Sequence, residues 1–334
     1  MNKKILILKN DRVGDLFHSL DGINAILNEN KNSKIEIILS PISKDLSFLF
    51  HADNIKISYI PYHLSILNKF RLFFKIIFNS YDQIYILSPK NFYYYLVLFS
   101  NSKFFAITIK NSNKSRPFDF LKNKLFKYIV NDRDNKKINQ SINSLTFELC
   151  SQKLKSDYPF LLNNRPETSV LFKDNISLFS KFIHIHYKDL IFKKNGWTIE
   201  KFFDLINSLS NTSKIILTSD FGNFTYHKDF LLNFSFLNFD NSTNNINLNK
   251  NIHYLHNIGT EDLFELIKLS STVISPHGAM TVMASYLDKK VIDIFDNNIS
   301  ISAFREYKPN NNNYNFLIIK KDFNKFLFKI KKFL

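Results

Sequence analysis

Cysteine is almost absent from this chain: Cys150 is the only one among 334 residues. No disulfide can close within the chain, and a reducing compartment fits. Glycine is scarce, at 6, and no Gly-x-Gly-x-x-Gly follows the first strand, which argues against a dinucleotide-dependent oxidoreductase. No stretch approaches the ~20 apolar residues that a membrane-spanning helix needs. The opening Met-Asn-Lys-Lys-Ile-Leu-Ile-Leu-Lys has a basic start and an apolar run, but Lys9, Asp11 and Arg12 cut that run too short for a secretory signal. Acid is the minority charge: 29 Asp and Glu against 45 Lys and Arg leave a formal net charge of +16. That surplus favours anionic partners: nucleotides, phosphorylated glycolipids or an acidic membrane surface. The basic residues are spread along the chain without a nucleic-acid-binding motif, so nucleic acid is not expected. These features predict a cytoplasmic protein, peripheral on the inner face of the cytoplasmic membrane.

What is present is alternation. Strand signals fall at Ile5–Leu8, Ile35–Leu39, Lys56–Tyr59, Gln83–Leu87 and Phe104–Ile107, with helical segments between most of them. The second half repeats the pattern, with strands at Phe182–His186, Lys214–Thr218, Ile252–Leu255, Thr272–Ile274 and Val291–Phe295. Its helices fall at Thr198–Leu209, Glu261–Leu269 and Ala279–Leu287. Such alternation predicts an α/β chain of parallel sheets with crossover helices. Residues 117–149 look mainly helical, and Lys155–Glu167, with Pro159, Asn163, Asn164 and Pro166, reads as a linker. The length suits about two domains, here 1–160 and 168–334. Two Rossmann-like halves facing a cleft are expected, with the basic amphipathic helix Lys321–Leu334 packing back on the first.

Two turns carry the candidate chemistry. Lys-Asn-Asp-Arg-Val-Gly-Asp-Leu-Phe-His, residues 9–18, joins the first strand to a helix. Side chains there lie at the carboxyl edge of the sheet, where open α/β folds bind ligands. Gly14 permits the turn and Asp15 is a candidate base, although an Asp in a first helical turn also simply complements the helix dipole. The second turn is Ser275-Pro276-His277-Gly278-Ala279, before a helix N-terminus. Small residues and free backbone N–H groups suit it to an anion, although a tight connection without a ligand has the same pattern.

Other features read more plainly. Asp132-Arg133-Asp134 follows a helical segment and reads as an exposed turn. His184 and His186 share a strand face but lack a third ligand at metal-site spacing, so no metal is expected. The aromatic-basic stretches Lys69–Phe78 and Pro117–Tyr128 fit either core helices with solvated Lys residues or helices lying on an anionic membrane.

Taken together, three segments resemble the family 9 glycosyltransferases, the ADP-heptose:lipopolysaccharide heptosyltransferase group. Asp11-Arg12-Val13-Gly14-Asp15-Leu16-Phe17-His18 resembles the family's first turn. His184-Ile-His186 followed by Lys193-Lys194-Asn-Gly-Trp197 resembles its central strand and Lys-x-Trp stretch. Leu263–Phe295 resembles its donor-site region. The resemblance implies a GT-B fold with the acceptor on the amino-terminal domain and a nucleotide-sugar, ADP-heptose favoured, on the carboxyl-terminal one. It implies an inverting, metal-independent sugar transfer to a lipopolysaccharide or other surface-glycan acceptor, with no cofactor. Asp15 inherits the role of base. Arg12, Gly14 and His18 fall on the acceptor side. His186, Lys193, Lys194, Ser219, His277, Gly278, Ala279, Met280 and Thr281 fall on the donor side, with either Lys193 or Lys194 on phosphate. The family's Asp-x-Gly-x-x-His donor pattern is replaced here by His277-Gly278-Ala279-Met280-Thr281-Val282, and its ribose-binding Glu has no counterpart in Phe221-Gly222-Asn223-Phe224. Two alternatives therefore stand: an enzyme of the same fold on another nucleotide-sugar, transferase or epimerase, or a non-catalytic scaffold that binds glycolipid or protein.

Overall fold

A computed structural model describes residues 3–88, 91–96, 102, 104–109, 128–131, 166–220, 227–239, 250–296, 309, 311–319 and 322–334. The Asp132-Arg133-Asp134 turn, most of the Pro117–Tyr128 stretch, the loop Phe221–Phe224 and Cys150 lie outside them. The chain divides into two compact units, Met1–Arg165 with Ser302–Lys308 and Pro166–Ile301 with Pro309–Leu334.

The first unit contains β1 (Lys4–Lys9), α1 (Val13–Glu29), β2 (Lys34–Leu39), β3 (Ile55–Tyr59), α2 (Ile66–Asn79), β4 (Gln83–Ile86), α3 (Asn91–Leu96), β5 (Phe104–Ile109) and β6 (Tyr128–Asn131). Its strands form one sheet in the order β3-β2-β1-β4-β5-β6, and each pairing is parallel. β1 is central, so its run Ile5–Leu8 is buried on both faces and can be apolar without interruption. Strand β6 corrects the expectation of helix through 117–149: Tyr-Ile-Val-Asn is too short for periodicity to separate strand from helix, and its β-branched residues pair with β5.

The second unit contains α4 (Val170–Asp174), β7 (Phe182–Tyr187), α5 (Asp189–Lys194), α6 (Ile199–Ser210), β8 (Lys214–Ser219), α7 (His227–Asn233), β9 (Ser235–Asn238), β10 (Ile252–His256), α8 (Thr260–Leu269), β11 (Thr272–Pro276), α9 (Ala279–Tyr286), β12 (Lys290–Phe295), β13 (Tyr314–Ile318) and α10 (Phe323–Phe333). Its seven strands are also parallel, in the order β13-β12-β11-β7-β8-β10-β9. The strands β9 and β13 carry no sequence expectation because both are short edge strands with partly exposed faces.

Aromatic packing consolidates this unit. Tyr187 stacks on Phe192 at 5.2 Å, and Trp197 meets Phe326 at 5.0 Å and Phe323 at 5.5 Å. Through those rings the terminal helix α10 packs on the second unit's own core, against α6 and β13. Its start is fixed by Asp322, whose carboxylate accepts from the Lys325 N–H at 3.1 Å.

Helix α2 is capped by Ser65, which accepts from the Asn68 N–H at 3.2 Å. It buries Leu72 and Ile76, while Phe70, Phe74 and Phe78 remain exposed. Of the two readings of this stretch, a core helix or a helix on a membrane, the core reading is not met by these three rings: one buried stripe suffices to hold the helix to the sheet.

Candidate active site

Strand order locates the sites. In each sheet one strand has neighbours reached by connections running in opposite directions, and the crevice beyond the carboxyl ends at that switch point is where open α/β sheets hold ligands. In the second unit the switch falls between β7 and β11. The residues just past those two ends are Lys188 and His277-Gly278.

Lys188 reaches across this crevice and donates from Nζ to the His277 carbonyl at 3.3 Å. It passes so close to Gly278 that a Cβ there would stand 2.6 Å from Nζ. Gly278 also has φ +155°, ψ −156°, a backbone region that side-chain-bearing residues avoid. Glycine is thus required twice, by its own conformation and by the ammonium above it. Burial lowers the Lys188 pKa from its ordinary value, with Asp220 and Asp293 opposing that shift. A half-buried ammonium with incomplete compensation is suited to an incoming anion.

Behind the turn, His277 is held on three sides. Its N–H donates to the Ile294 carbonyl at 3.0 Å, its ring stacks on Phe295 at 4.5 Å, and its Nδ1 lies 2.7 Å from Asp293 Oδ2. Asp293 is fully buried on β12 and also accepts from Tyr314 OH at 2.6 Å. Helix α9 starts immediately after. Thr281 Oγ1 accepts from the Gly278 N–H at 3.3 Å, and the first helical bond runs from the Val282 N–H to the Gly278 carbonyl at 3.2 Å, so the N–H groups of Ala279 and Met280 precede the helical ladder.

A buried polar chain runs from β7 to β8. His184 Nε2 and His186 Nδ1 both lie on Thr218 Oγ1, at 2.8 and 2.9 Å, and His186 Nε2 lies 3.2 Å from Asp220 Oδ1. A carboxylate can only accept, so His186 carries its proton on Nε2 and accepts from the Thr218 hydroxyl. Thr218 then accepts from His184 Nε2–H, and His184 Nδ1 is the bare nitrogen, which has no partner in the structure. Burial lowers the His184 pKa to about 3 and lowers that of His186 as well, so both rings are neutral. At the end of the chain, burial would raise the Asp220 pKa, but the His186 hydrogen bond and the Lys188 charge lower it.

In the first unit the switch falls between β1 and β4. Lys9, the last residue of β1, is buried and donates to Asp11 Oδ2 at 2.8 Å and to the Leu87 carbonyl at 3.3 Å. Ser88 donates to the same carboxylate oxygen at 2.8 Å. Next to this cluster, Asn10 donates to the carbonyls of Ile60 and Pro61 and accepts from Tyr93 OH at 2.5 Å. Asp15 sits in the first turn of α1, half-buried, with a backbone hydrogen bond from Arg12. Burial raises its pKa from the ordinary value; Lys9 and Arg12 oppose the shift and Asp11 adds to it.

The fold of this chain is similar to that of known proteins. A family 9 glycosyl transferase from Veillonella parvula matches with TM-score 0.65 at 10% identity, over 99% of this chain and 89% of that one. Heptosyltransferase WaaC of E. coli, solved with ADP, matches with TM-score 0.66 at 12% identity, over 99% of this chain and 100% of that one. A UDP-GlcNAc 2-epimerase from Methanocaldococcus jannaschii matches with TM-score 0.58 at 14% identity, over 98% and 92%. The chain has the heptosyltransferase fold. No family profile and no curated protein sequence matches it.

Within this GT-B fold, the residues expected on the donor side separate into two groups. His277, Gly278, Ala279, Met280 and Thr281 form the turn beside Lys188, and His186 ends on Asp220. Ser219 turns instead to Tyr254, with their hydroxyls 2.9 Å apart. Lys193 and Lys194 follow the next turn of chain, where Gly196 closes α5 at φ +72°. Lys193 pairs with Asp189 at 2.8 Å and Lys194 with Asp296 at 2.5 Å, the lysines exposed and the carboxylates half-buried. The cation that reaches the Gly278 turn is therefore Lys188. On the first unit, Arg12 is exposed with its guanidinium 5.7 Å from the Tyr62 ring, Gly14 is half-buried in the first turn, and His18 is buried along α1.

Sequence reasoning overlooked Lys188, Asp220, Asp293, Tyr314, Lys9 and Ser88. Lys9 and Lys188 were legible in principle: each directly follows an apolar strand run, where a charge marks the carboxyl edge. Asp293 interrupts the apolar strand Val291–Phe295, a second usable signal.

Proposed function

We propose that this chain is a glycosyltransferase that moves a sugar, heptose or a relative, from a nucleoside-diphosphate donor to a hydroxyl of a lipopolysaccharide-type or other surface glycan. The observation that carries this reading is Lys188 over Gly278 at the switch point of the second sheet. It pairs a half-buried ammonium with a glycine turn and a helix N-terminus, a combination suited to a diphosphate. The family resemblance of the first turn, of the Lys-Lys-Asn-Gly-Trp stretch and of the wider Leu263–Phe295 region favours ADP-heptose as the donor, although the donor turn itself departs from the family pattern.

In this scheme the acceptor occupies the first unit. Asp15 removes the proton from its hydroxyl, and that oxygen attacks the anomeric carbon opposite the leaving group. The bond from carbon to diphosphate oxygen breaks, the diphosphate departs with the electron pair, and the anomeric centre inverts. A base so used contributes ~10²–10⁴ in rate. Its raised pKa suits it to accept a proton. Lys188 and the N–H groups of Ala279 and Met280 meet the charge that develops on the diphosphate, so the protein supplies the stabilisation without a metal. The transferase works at the cytoplasmic face of a membrane, where nucleotide-sugars and lipid-linked glycans meet.

A thermal-shift panel of ADP- and UDP-sugars tests the reading. A donor at about 100 times its Kd stabilises by ~2.7 kcal/mol. ADP-heptose is expected to raise the melting temperature of the wild type and of Asp15→Asn, and not of Lys188→Ala. A panel in which no nucleotide-sugar shifts the wild type overturns the proposal. A shift by UDP-sugars alone moves the assignment to another donor, and a bound donor with no turnover moves it to a scaffold.

A further inference from the structure

Helix α2 has more apolar surface than the core takes. Beyond Leu72 and Ile76, its Ile66, Leu67, Phe70, Phe74 and Phe78 are 71%, 77%, 56%, 49% and 76% exposed. The three phenylalanines recur every fourth residue, so their rings form one row. Phe70 stacks on Phe74 at 6.5 Å, and Phe74 on Phe78 at 5.8 Å with 9° between the ring planes. Contiguous apolar faces of this kind mark interaction sites.

The charge on this helix has one sign. It carries Lys69, Arg71 and Lys75 and no carboxylate. Lys75 pairs with Glu36, and the Lys69 ammonium lies 5.6 Å from the Phe92 ring. Arg71 is exposed beside the phenylalanine row. With Ser65, Leu67, Asn68, Phe70 and Phe74 it lines an open hollow of about 490 Å³.

The position of the helix in the fold is specific. As the crossover between parallel strands, α2 runs against them, so its N-terminal end lies at the carboxyl edge of the sheet, the edge that bears Asp15. Two contacts tie the segment before α2 to the β1–α1 turn: Asn10 Nδ2 donates to Pro61 O at 3.0 Å, and Arg12 lies over Tyr62.

We infer that the Ile66–Phe78 face of α2 docks this chain on an anionic lipid bilayer. The phenylalanine row enters the boundary between headgroups and acyl chains, and Arg71 meets lipid phosphate. Charge selects this occupant over a second copy, which would set Lys69 and Arg71 against their own kind in a chain of net charge +16. The inference rests on the reading that the acceptor is carried by a lipid, and it adds the surface that brings the Asp15 edge to the leaflet.

Sedimentation of the full chain with vesicles tests it, using phosphatidylcholine alone and phosphatidylcholine mixed with phosphatidylglycerol. The wild type is expected to bind the mixed vesicles at least tenfold more tightly than the neutral ones. The triple variant Phe70→Ser, Phe74→Ser, Phe78→Ser is expected to lose at least tenfold of that binding while its melting temperature stays within a few degrees. Arg71→Gln is expected to weaken binding to the mixed vesicles only. Phe328→Ser, which removes an exposed ring from α10, is expected to bind as the wild type does. Wild-type binding that is absent, or equal in the triple variant, overturns the inference. So does a dimer, seen by light scattering, that the triple variant abolishes. Donor-induced thermal shifts are read in parallel: their loss with intact vesicle binding counts against the proposed activity alone, and the reverse counts against the docking face alone.

Discussion

His277 Nδ1 stands 2.7 Å from a carboxylate oxygen of Asp293, a residue with no solvent exposure. The pair couples the donor turn to the neighbouring strand, because Asp293 belongs to β12 while His277 closes β11. Tyr314 adds a third strand, donating to the same oxygen at 2.6 Å. Burial, and then the Asp293 charge, push the Tyr314 phenol well above its ordinary pKa, so it remains a donor. The imidazole orientation is therefore set from the two neighbouring strands β12 and β13.

Asp293→Ala removes the acceptor from both donors. Leaving buried polar groups without partners costs ~1–3 kcal/mol, to be read by chemical denaturation. The donor-induced thermal shift is expected to shrink with it. Asp293→Asn can keep an oxygen at the accepting position, so its loss is expected to be smaller on both measures. Equal donor shifts in all three proteins would show that the pair serves the fold and not the turn.

Asp15→Asn separates chemistry from stability. Turnover is expected to fall by ~10²–10⁴. The unfolding free energy is expected to hold or rise slightly, because the raised pKa means that the fold opposes this carboxylate's charge. A folded pKa above the unfolded one destabilises the ionised native state, and that cost vanishes as pH falls below the ordinary Asp value of 3.8. The acid limb of the wild-type pH–rate profile is accordingly expected above 3.8, the ordinary value for Asp.

Gly278→Ala puts a methyl group on the Lys188 ammonium in a backbone region that alanine avoids. A strained φ/ψ of this kind costs ~1–3 kcal/mol. Donor binding is expected to weaken by more than that loss of stability accounts for, since Lys188 is displaced. Lys188→Gln, which leaves the backbone at rest, is expected to weaken donor binding with little change in melting temperature.

Acid is expected to destabilise the second unit through its histidines. The folded pKa of His184 is about 3, against 6.5 for the ordinary side chain, and that of His186 is lowered in the same direction by burial. A depressed histidine contributes stability that is complete above 6.5, where neither state is charged. It is lost as pH falls from 6.5 toward the folded value, because only the unfolded chain takes up the proton. Denaturation midpoints measured between pH 7.5 and 4.5 are expected to fall, and to fall less steeply in His184→Gln.

Much of the fold was legible because its signals are local. Runs such as Ile5–Leu8 and Phe182–His186 announce strands buried on both faces, and Gly278 marks a strand–helix turn, whereas Gly14, expected to permit the first turn, lies inside α1 without the positive φ that would require glycine. The short edge strands Ser235–Asn238 and Tyr314–Ile318 were not legible, since a few residues with one exposed face carry too little pattern. The site divided in the same way. His277 and Gly278 stand out by composition in a small-residue turn. Lys193 and Lys194 stand out by likeness to a motif, but the helix that carries them turns them toward Asp189 and Asp296.

By itself, the sequence determined the alternation of strand and helix, the parallel sheets it demands and the two turns at which charge and glycine meet, because periodicity and turn chemistry act over neighbouring residues. Only the tertiary structure decided that Lys188 is the cation over Gly278, that Asp293 and Tyr314 hold His277, and that the aromatic row of α2 stays outside the core. Those outcomes depend on which strands lie side by side and in what register, and that order comes from packing residues distant in the sequence, 89 positions apart for Lys188 and His277.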